Sequence, residues 1–290
     1  MLLHFDDERG LARRIARAAG MAAARIARHR FPDGEVKLTL PSRLPRRVAI
    51  LRSLDRPNEK LVELLLAAHG ARELGARHLT LVAPYLAYMR QDRAFEPGES
   101  VSQRHVGGFL AALFDRVITV DPHLHRVDRL DDVLPGADAV TLSAASLIGR
   151  HLHAHGIEAL LLGPDRESSQ WVEAVARASG DEWAVGRKER RGDRDVRIHL
   201  PRMSFAGRRV VIVDDVASTG RTLAAAARAA LHAGAARVDV AITHALFVDD
   251  GTATLGAAGV ESVWSTDSIA HPTNVIGLAR LVARTLTAQP

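Results

Sequence analysis

The sequence contains the same strand–helix–strand unit twice, and few folds accommodate that. Residues 46–51 form an apolar run behind two arginines. A turn from Asp55 to Asn58 follows, then a helical pattern over 61–74, the turn Gly75-Ala76-Arg77 and a second apolar run at 79–82. An apolar run at 208–213, a turn at 214–220, a helical pattern over 222–232, the turn Gly234-Ala235-Ala236-Arg237 and a run at 238–242 repeat that order. Each copy reads as a βαβ unit. The short runs are apolar without alternation, as in parallel strands buried on both faces. Glycine just past each helix fits a C-terminal cap. The duplication predicts an α/β protein of two tandem domains, 1–140 and 141–290, each a mostly parallel sheet flanked by helices. Further strands are expected at 116–120, 139–141, 158–163, 182–185, 195–198 and 260–265. Helices are expected at 13–30 and 276–286. Ligands of such sheets bind at the carboxyl ends of the strands.

Composition narrows the chemistry. The 290 residues include no cysteine, which removes disulfides, thiolate metal sites and thiol nucleophiles. No run of about 18 apolar residues predicts a membrane span, and the acidic start (Asp6, Asp7, Glu8) does not fit a secretory signal. A cytoplasmic protein is expected. The net charge of +5 favours anionic partners. No helix-turn-helix or interleaving of aromatic and basic residues points to nucleic acid. Arginine supplies 36 of the 39 basic residues; the three lysines are Lys37, Lys60 and Lys188. Where arginine is the default cation, a lysine draws notice, because its compact ammonium does chemistry that a guanidinium does not.

Six segments carry candidate chemistry. After 210–213 come Asp214 and Asp215, then Ser218, Thr219, Gly220, Arg221 and Thr222 at the start of a helix. A helix N-terminus with hydroxyls suits a phosphate, and adjacent carboxylates accept from sugar hydroxyls or bind a metal. The plainer reading is ordinary N-capping, which needs one hydroxyl and no acidic pair. Asp33 and Glu35 flank Gly34 in a turn and can accept from an adenine amino group or a ribose; a solvated turn would look the same. Arg90, Gln91 and Arg93 offer planar forks for phosphates and an amide for a base, or a surface arginine cluster. His123 and Asp165 follow apolar strands and can share a divalent cation, although a lone histidine is more often structural. Lys188 and Arg190 lie in a charged run bracketed by Gly186 and Gly192, read as a mobile surface excursion or a solvated hairpin tip.

The 214–222 loop resembles the signature of the type I phosphoribosyltransferase fold, an acidic pair followed by Thr-Gly-x-Thr. Other segments resemble one family with that fold, the ribose-phosphate pyrophosphokinases: Phe31-Pro32-Asp33-Gly34-Glu35, Tyr88-Met89-Arg90-Gln91-Asp92-Arg93, Val120-Asp121-Pro122-His123, Gly163-Pro164-Asp165 and Lys188-Glu189-Arg190, in the family's order. The resemblance implies an Mg²⁺-dependent transfer of the diphosphoryl group of ATP to the 1-hydroxyl of ribose 5-phosphate, giving phosphoribosyl pyrophosphate and AMP. It implies ATP contacts from Phe31, Asp33, Glu35, Arg90 and Gln91. Asp214, Asp215, Ser218, Thr219, Gly220, Arg221 and Thr222, with Arg190, are implied for ribose 5-phosphate, and His123 and Asp165 for Mg²⁺. Lys188 and Arg190 are implied as catalytic, on a lid over the transferring phosphates. It also implies a homodimer or homohexamer with the ATP site at a subunit interface. Ser218 stands where many members have Asp, Arg221 where they have Gly, and Glu167 near where they have small residues. The first βα turn, 52–60, lacks an acidic pair, so one phosphoribosyl site per chain is expected. A phosphoribosyltransferase consuming phosphoribosyl pyrophosphate would share the 214–222 loop without needing the first domain. A non-catalytic regulatory homologue would be expected to lose Lys188 and Arg190.

Overall fold

The apolar runs become the central strands of two six-stranded parallel sheets. The structure, a computed structural model, describes residues 1–94, 96–124, 129–191 and 195–288, with the side chains of 190–196 outside that description. Strands β1 (Leu2–His4), β2 (Ala23–Arg25), β3 (Ala27–Arg30), β4 (Val36–Thr39), β5 (Arg47–Leu51), β6 (His78–Ala83), β7 (Arg116–Val120) and β8 (Asp138–Leu142) come first. Helices α1 (Arg9–Ala19), α2 (Pro57–Glu73) and α3 (Ser102–Leu113) lie among them. The sheet order is β2-β1-β5-β6-β7-β8, and β3 and β4 form a separate antiparallel hairpin.

The second half follows the same plan. It contains α4 (Ala145–Ala154), β9 (Leu160–Gly163), α5 (Ser169–Ser179), β10 (Trp183–Val185), β11 (Arg187–Arg191), β12 (Asp195–His199), β13 (Arg209–Ala217), α6 (Arg221–His232), β14 (Arg237–Ala245), α7 (Gly251–Ala257), β15 (Val260–Thr266) and β16 (Asn274–Ile276). Its sheet order is β10-β9-β13-β14-β15-β16, with β11 and β12 as the antiparallel hairpin. The duplication therefore extends beyond the βαβ unit to a whole domain, hairpin included. Among the described residues no helix is long and apolar enough to cross a membrane.

Several boundaries differ from the sequence reading. The helix expected at 13–30 ends at Gly20, which takes a left-handed φ of 61° and caps it. Residues 23–25 then pair with β1, and 27–30 enter the β3–β4 hairpin. The turn expected at 214–220 begins later, because β13 stays paired with β14 to Ala217. At the other end, 274–276 add strand β16 to the sheet edge before the last helix, α8 (Ala279–Thr287), begins. That helix packs on α1, and Arg116 Nη1 donates to the Thr285 carbonyl (3.4 Å). The compact units are thus Met1–Leu142 with Leu278–Pro290, and Ser143–Gly277, so the last residues pack with the first unit rather than with a domain running 141–290.

Candidate active site

Three segments of the second unit meet at the carboxyl end of its sheet. Strand β9 ends at Gly163; Pro164 and Asp165 follow, and Asp165 caps a short 3₁₀ turn leading into α5. Asp165 Oδ1 accepts from the backbone N–H of Glu167 (3.0 Å) and of Ser168 (3.4 Å). Ser168 Oγ donates to the Asp165 carbonyl (2.6 Å). Gly163 is required here: a Cβ would lie 2.6 Å from Ser168 Oγ.

Lys188 reaches this turn from hairpin β11–β12, where the sequence suggested a mobile excursion. The hairpin is in regular register, Lys188 opposite Ile198. Its base is seated by Gly186, whose N–H donates to the Gly163 carbonyl (2.8 Å). A Cβ at Gly186 would lie 3.0 Å from the Pro164 carbonyl oxygen. From there Lys188 Nζ donates to Asp165 Oδ2 at 2.5 Å, both side chains mostly buried. The backbone of Arg190 pairs with Val196; its side chain lies outside the described residues.

Asp214 and Asp215 sit within β13, not in the turn after it. The N–H of Asp215 donates to Asp214 Oδ1 (3.0 Å). Burial, reinforced by the Asp215 and Asp165 carboxylates, holds the Asp214 carboxyl well above the usual range, against the pull of Lys188. Asp165, Asp214 and Asp215 thus gather around Lys188. Beyond Ala217, Gly220 takes a left-handed φ of 72° as N-cap of α6 and supplies no side-chain cap. Among the described residues, the side-chain hydroxyls of Ser218, Thr219 and Thr222 have no protein partner. Ordinary N-capping by one of them is therefore not what the loop does. Arg221 is exposed and does not fill the loop; Glu167 is exposed as well.

One feature of this site was invisible in the sequence. The loop rests against the start of α7 backbone to backbone. A Cβ on Gly251 would lie 2.6 Å from the Ser218 carbonyl oxygen, and a Cβ on Gly220 would lie 2.8 Å from the Gly251 carbonyl oxygen. Gly186 and Gly251 are 65 positions apart and neither belongs to a recognisable motif, so only the fold shows that both set this loop cluster.

The first unit places the remaining residues. Phe31, Asp33 and Glu35 are exposed at the tip of hairpin β3–β4. Phe31 N–H donates to the Glu35 carbonyl (2.8 Å), and Glu35 N–H to Asp33 Oδ1 (3.0 Å). After β6, Tyr88 takes a left-handed φ of 65° and its hydroxyl donates to Asn58. Arg90 is exposed, and Gln91 Oε1 accepts from Ser102 Oγ (2.7 Å) at the start of α3. Among the described residues no hydrogen bond or ion pair joins the hairpin tip to Arg90 or Gln91. His123 lies just past β7, after Asp121, whose φ is 37°. His123 and Asp165 thus belong to different units.

The turn after β5, which corresponds by topology to the 214–222 loop, is built differently. Arg52 is 1% exposed, lies over the Phe5 ring (4.3 Å), and donates to Asp7 (2.8 Å), Glu8 (3.3 Å) and Glu63. Lys60 Nζ donates to the Ser53 carbonyl (2.8 Å) and to Asp55 (2.6 Å). Breaking one partner out of such a buried network costs about 3–5 kcal/mol, so this turn is committed to structure.

Known proteins share both halves. A family model described as the N-terminal domain of ribose phosphate pyrophosphokinase matches residues 1–113, and one described as the phosphoribosyl transferase domain matches 127–260. A ribose-phosphate pyrophosphokinase of Methanopyrus kandleri is 36% identical over 276 residues, 94% of each chain. One of Halobacterium salinarum is 32% identical over 290 residues, 99% of this chain and 100% of its own. The crystal structure of phosphoribosylpyrophosphate synthetase from Mycobacterium smegmatis has the same fold, with a TM-score of 0.84 at 24% identity, covering 99% of this chain and 97% of that one.

Proposed function

Because the chain belongs to the ribose-phosphate pyrophosphokinase family, we propose that it transfers the diphosphoryl group of ATP to the 1-hydroxyl of ribose 5-phosphate, releasing AMP and phosphoribosyl pyrophosphate. The observation that carries this reading is the convergence of Lys188, Asp165 and Asp214 beside an α6 start whose hydroxyls have no protein partner. Asp214 and Asp215 hold the ribose hydroxyls. Ser218, Thr219, Gly220, Arg221 and Thr222 cradle the 5-phosphate, which the N–H groups and dipole of α6 favour. The 1-hydroxyl oxygen bonds to the β-phosphorus as the bond from that phosphorus to the α,β-bridging oxygen breaks; AMP leaves with that oxygen, and the hydroxyl proton is released to solvent. Lys188 and Arg190 stabilise the charge on the transferring group, so catalysis is chiefly positioning and electrostatics. Phe31, Asp33, Glu35, Arg90 and Gln91 bind ATP.

Carboxylate oxygens at Asp165 and Asp214 are the hard donors that Mg²⁺ prefers; Asp165 and His123 are the residues we propose would hold it. Bound Mg²⁺ supplies neutralisation of the polyphosphate charge. The exposed hairpin tip, unlinked to Arg90 and Gln91 within the chain, fits an ATP site completed by a second copy in a homodimer or homohexamer. The Arg52 network supports a single phosphoribosyl site per chain. We place the enzyme in the cytoplasm. The test is incubation with ribose 5-phosphate, ATP and Mg²⁺, following AMP and phosphoribosyl pyrophosphate; folded protein that yields no AMP above background refutes the reading.

A further inference from the structure

We infer that Lys188 and a divalent cation are alternative occupants of Asp165 Oδ2, so that cation entry hands the Lys188 ammonium over to the phosphoryl group. The inference deepens the proposed function and rests on it for the destination of the lysine. It stands on how Asp165 is used. Oδ1 is committed to the 3₁₀ turn through two backbone N–H groups, and Ser168 fixes the same turn from its other side. Oδ2 is the oxygen turned toward the cluster, and Lys188 Nζ already holds it at 2.5 Å. A dication bound through Asp165 Oδ2 has to displace that ammonium.

The rest of the geometry makes the exchange feasible. The hairpin base is fixed through Gly186 against Gly163 and Pro164. The four-carbon stem of lysine lets Nζ swing without moving that base, which a planar guanidinium on a preorganised fork would do less readily. Lys60 offers the contrast. It is held by a backbone carbonyl and a single carboxylate, a balanced pair, whereas Lys188 serves Asp165 with Asp214 and Asp215 close by. A dication carries twice the charge of that ammonium and prefers hard oxygen, so it out-competes the lysine at Oδ2. By linkage, whatever draws Lys188 away also tightens cation binding.

With only three lysines in the chain, the exchange can be read directly. The full-length protein is pulsed with an amine-acylating reagent across an Mg²⁺ titration at constant ionic strength, and acylation of each lysine is measured by mass spectrometry. Exposed Lys37 is the reference and buried Lys60 the protected control. Mg²⁺ should raise the Lys188 rate relative to Lys37 by about tenfold, the order expected for release of one charge-assisted contact, while Lys60 stays protected. Asp165→Asn should show the raised rate without Mg²⁺ and no further response. A Lys188 rate in the unaltered protein that stays flat or falls with Mg²⁺ overturns the inference. So does Asp165→Asn labelling as slowly as the unaltered protein does without Mg²⁺. Labelling that responds in a protein making no AMP would leave the exchange standing and refute the diphosphokinase reading; AMP formation with unresponsive labelling would do the reverse.

Discussion

Replacing Gly251 by alanine should damage ribose 5-phosphate binding although residue 251 is not among the residues proposed to touch a ligand. The added Cβ would lie 2.6 Å from the Ser218 carbonyl oxygen and 2.9 Å from Phe247 Cδ1. A carbon and an oxygen in close contact sit about 3.3 Å apart, so the loop must retreat by roughly 0.7 Å. A misplacement near 1 Å costs up to ~10²-fold in rate, and we expect kcat/KM for ribose 5-phosphate to fall about 10- to 100-fold. Most of that should appear in KM, since the phosphate cradle is distorted before the transition state is reached. Stability should fall by about 1–3 kcal/mol, the usual cost of overpacking. Gly256→Ala is the control: it lies on the same helix with nothing within 4 Å of its Cβ, and should leave the kinetics unaltered. Steady-state kinetics with ribose 5-phosphate varied, beside urea unfolding of each variant, gives the comparison. A folded Gly251→Ala protein with the original KM and kcat would show that the loop tolerates displacement and that its backbone seat is irrelevant to binding.

Two further outcomes follow from packing and burial. Gly107→Ala, within α3, would put a Cβ 2.0 Å from the Val133 carbonyl oxygen and 2.7 Å from Val133 Cγ1; unfolding free energy should drop by about 3 kcal/mol or more, whereas Gly108→Ala, with open space, should gain up to ~1 kcal/mol in the same urea titration. Burial pushes Glu8 up from 4.5 to about 7 despite Arg52 and the Ser53 N–H. The folded state then holds a proton that the unfolded chain has lost between those values, so this group's contribution makes stability fall as pH rises through the window and level off above it. At about 1.4 kcal/mol per unit the fall is roughly 3 kcal/mol, and Glu8→Gln should lack it; an equal slope in both proteins would exclude Glu8 as its source.

The fold was legible wherever burial is continuous. The apolar runs at 48–51, 79–82, 117–120 and 210–213 can only be strands covered on both faces, and each is one. The reading failed where residues of high helix propensity are placed by partners far away in sequence. Ala23, Ala24 and Arg25 read as helix because alanine and arginine favour it, yet β1 claims them through parallel pairing. The same non-local logic hid Gly186 and Gly251, whose roles are set by carbonyl oxygens of other segments. The 214–222 loop was readable because its chemistry is contiguous. The pairing of Lys188 with Asp165 was not, because it depends on how a hairpin is seated against a strand 23 residues earlier.

Helix α8 gives the first unit an interrupted chain. Within residues 1–142, α1 packs on β1 and β2 but gains its α8 partner only from Leu278–Pro290, while 143–277 form an unbroken stretch. Domains emerging from the ribosome ordinarily fold N-terminal first. Here the unit that carries the acidic pair is contiguous and can complete its core before α8 is made, whereas the first unit gains its α1–α8 packing only afterwards.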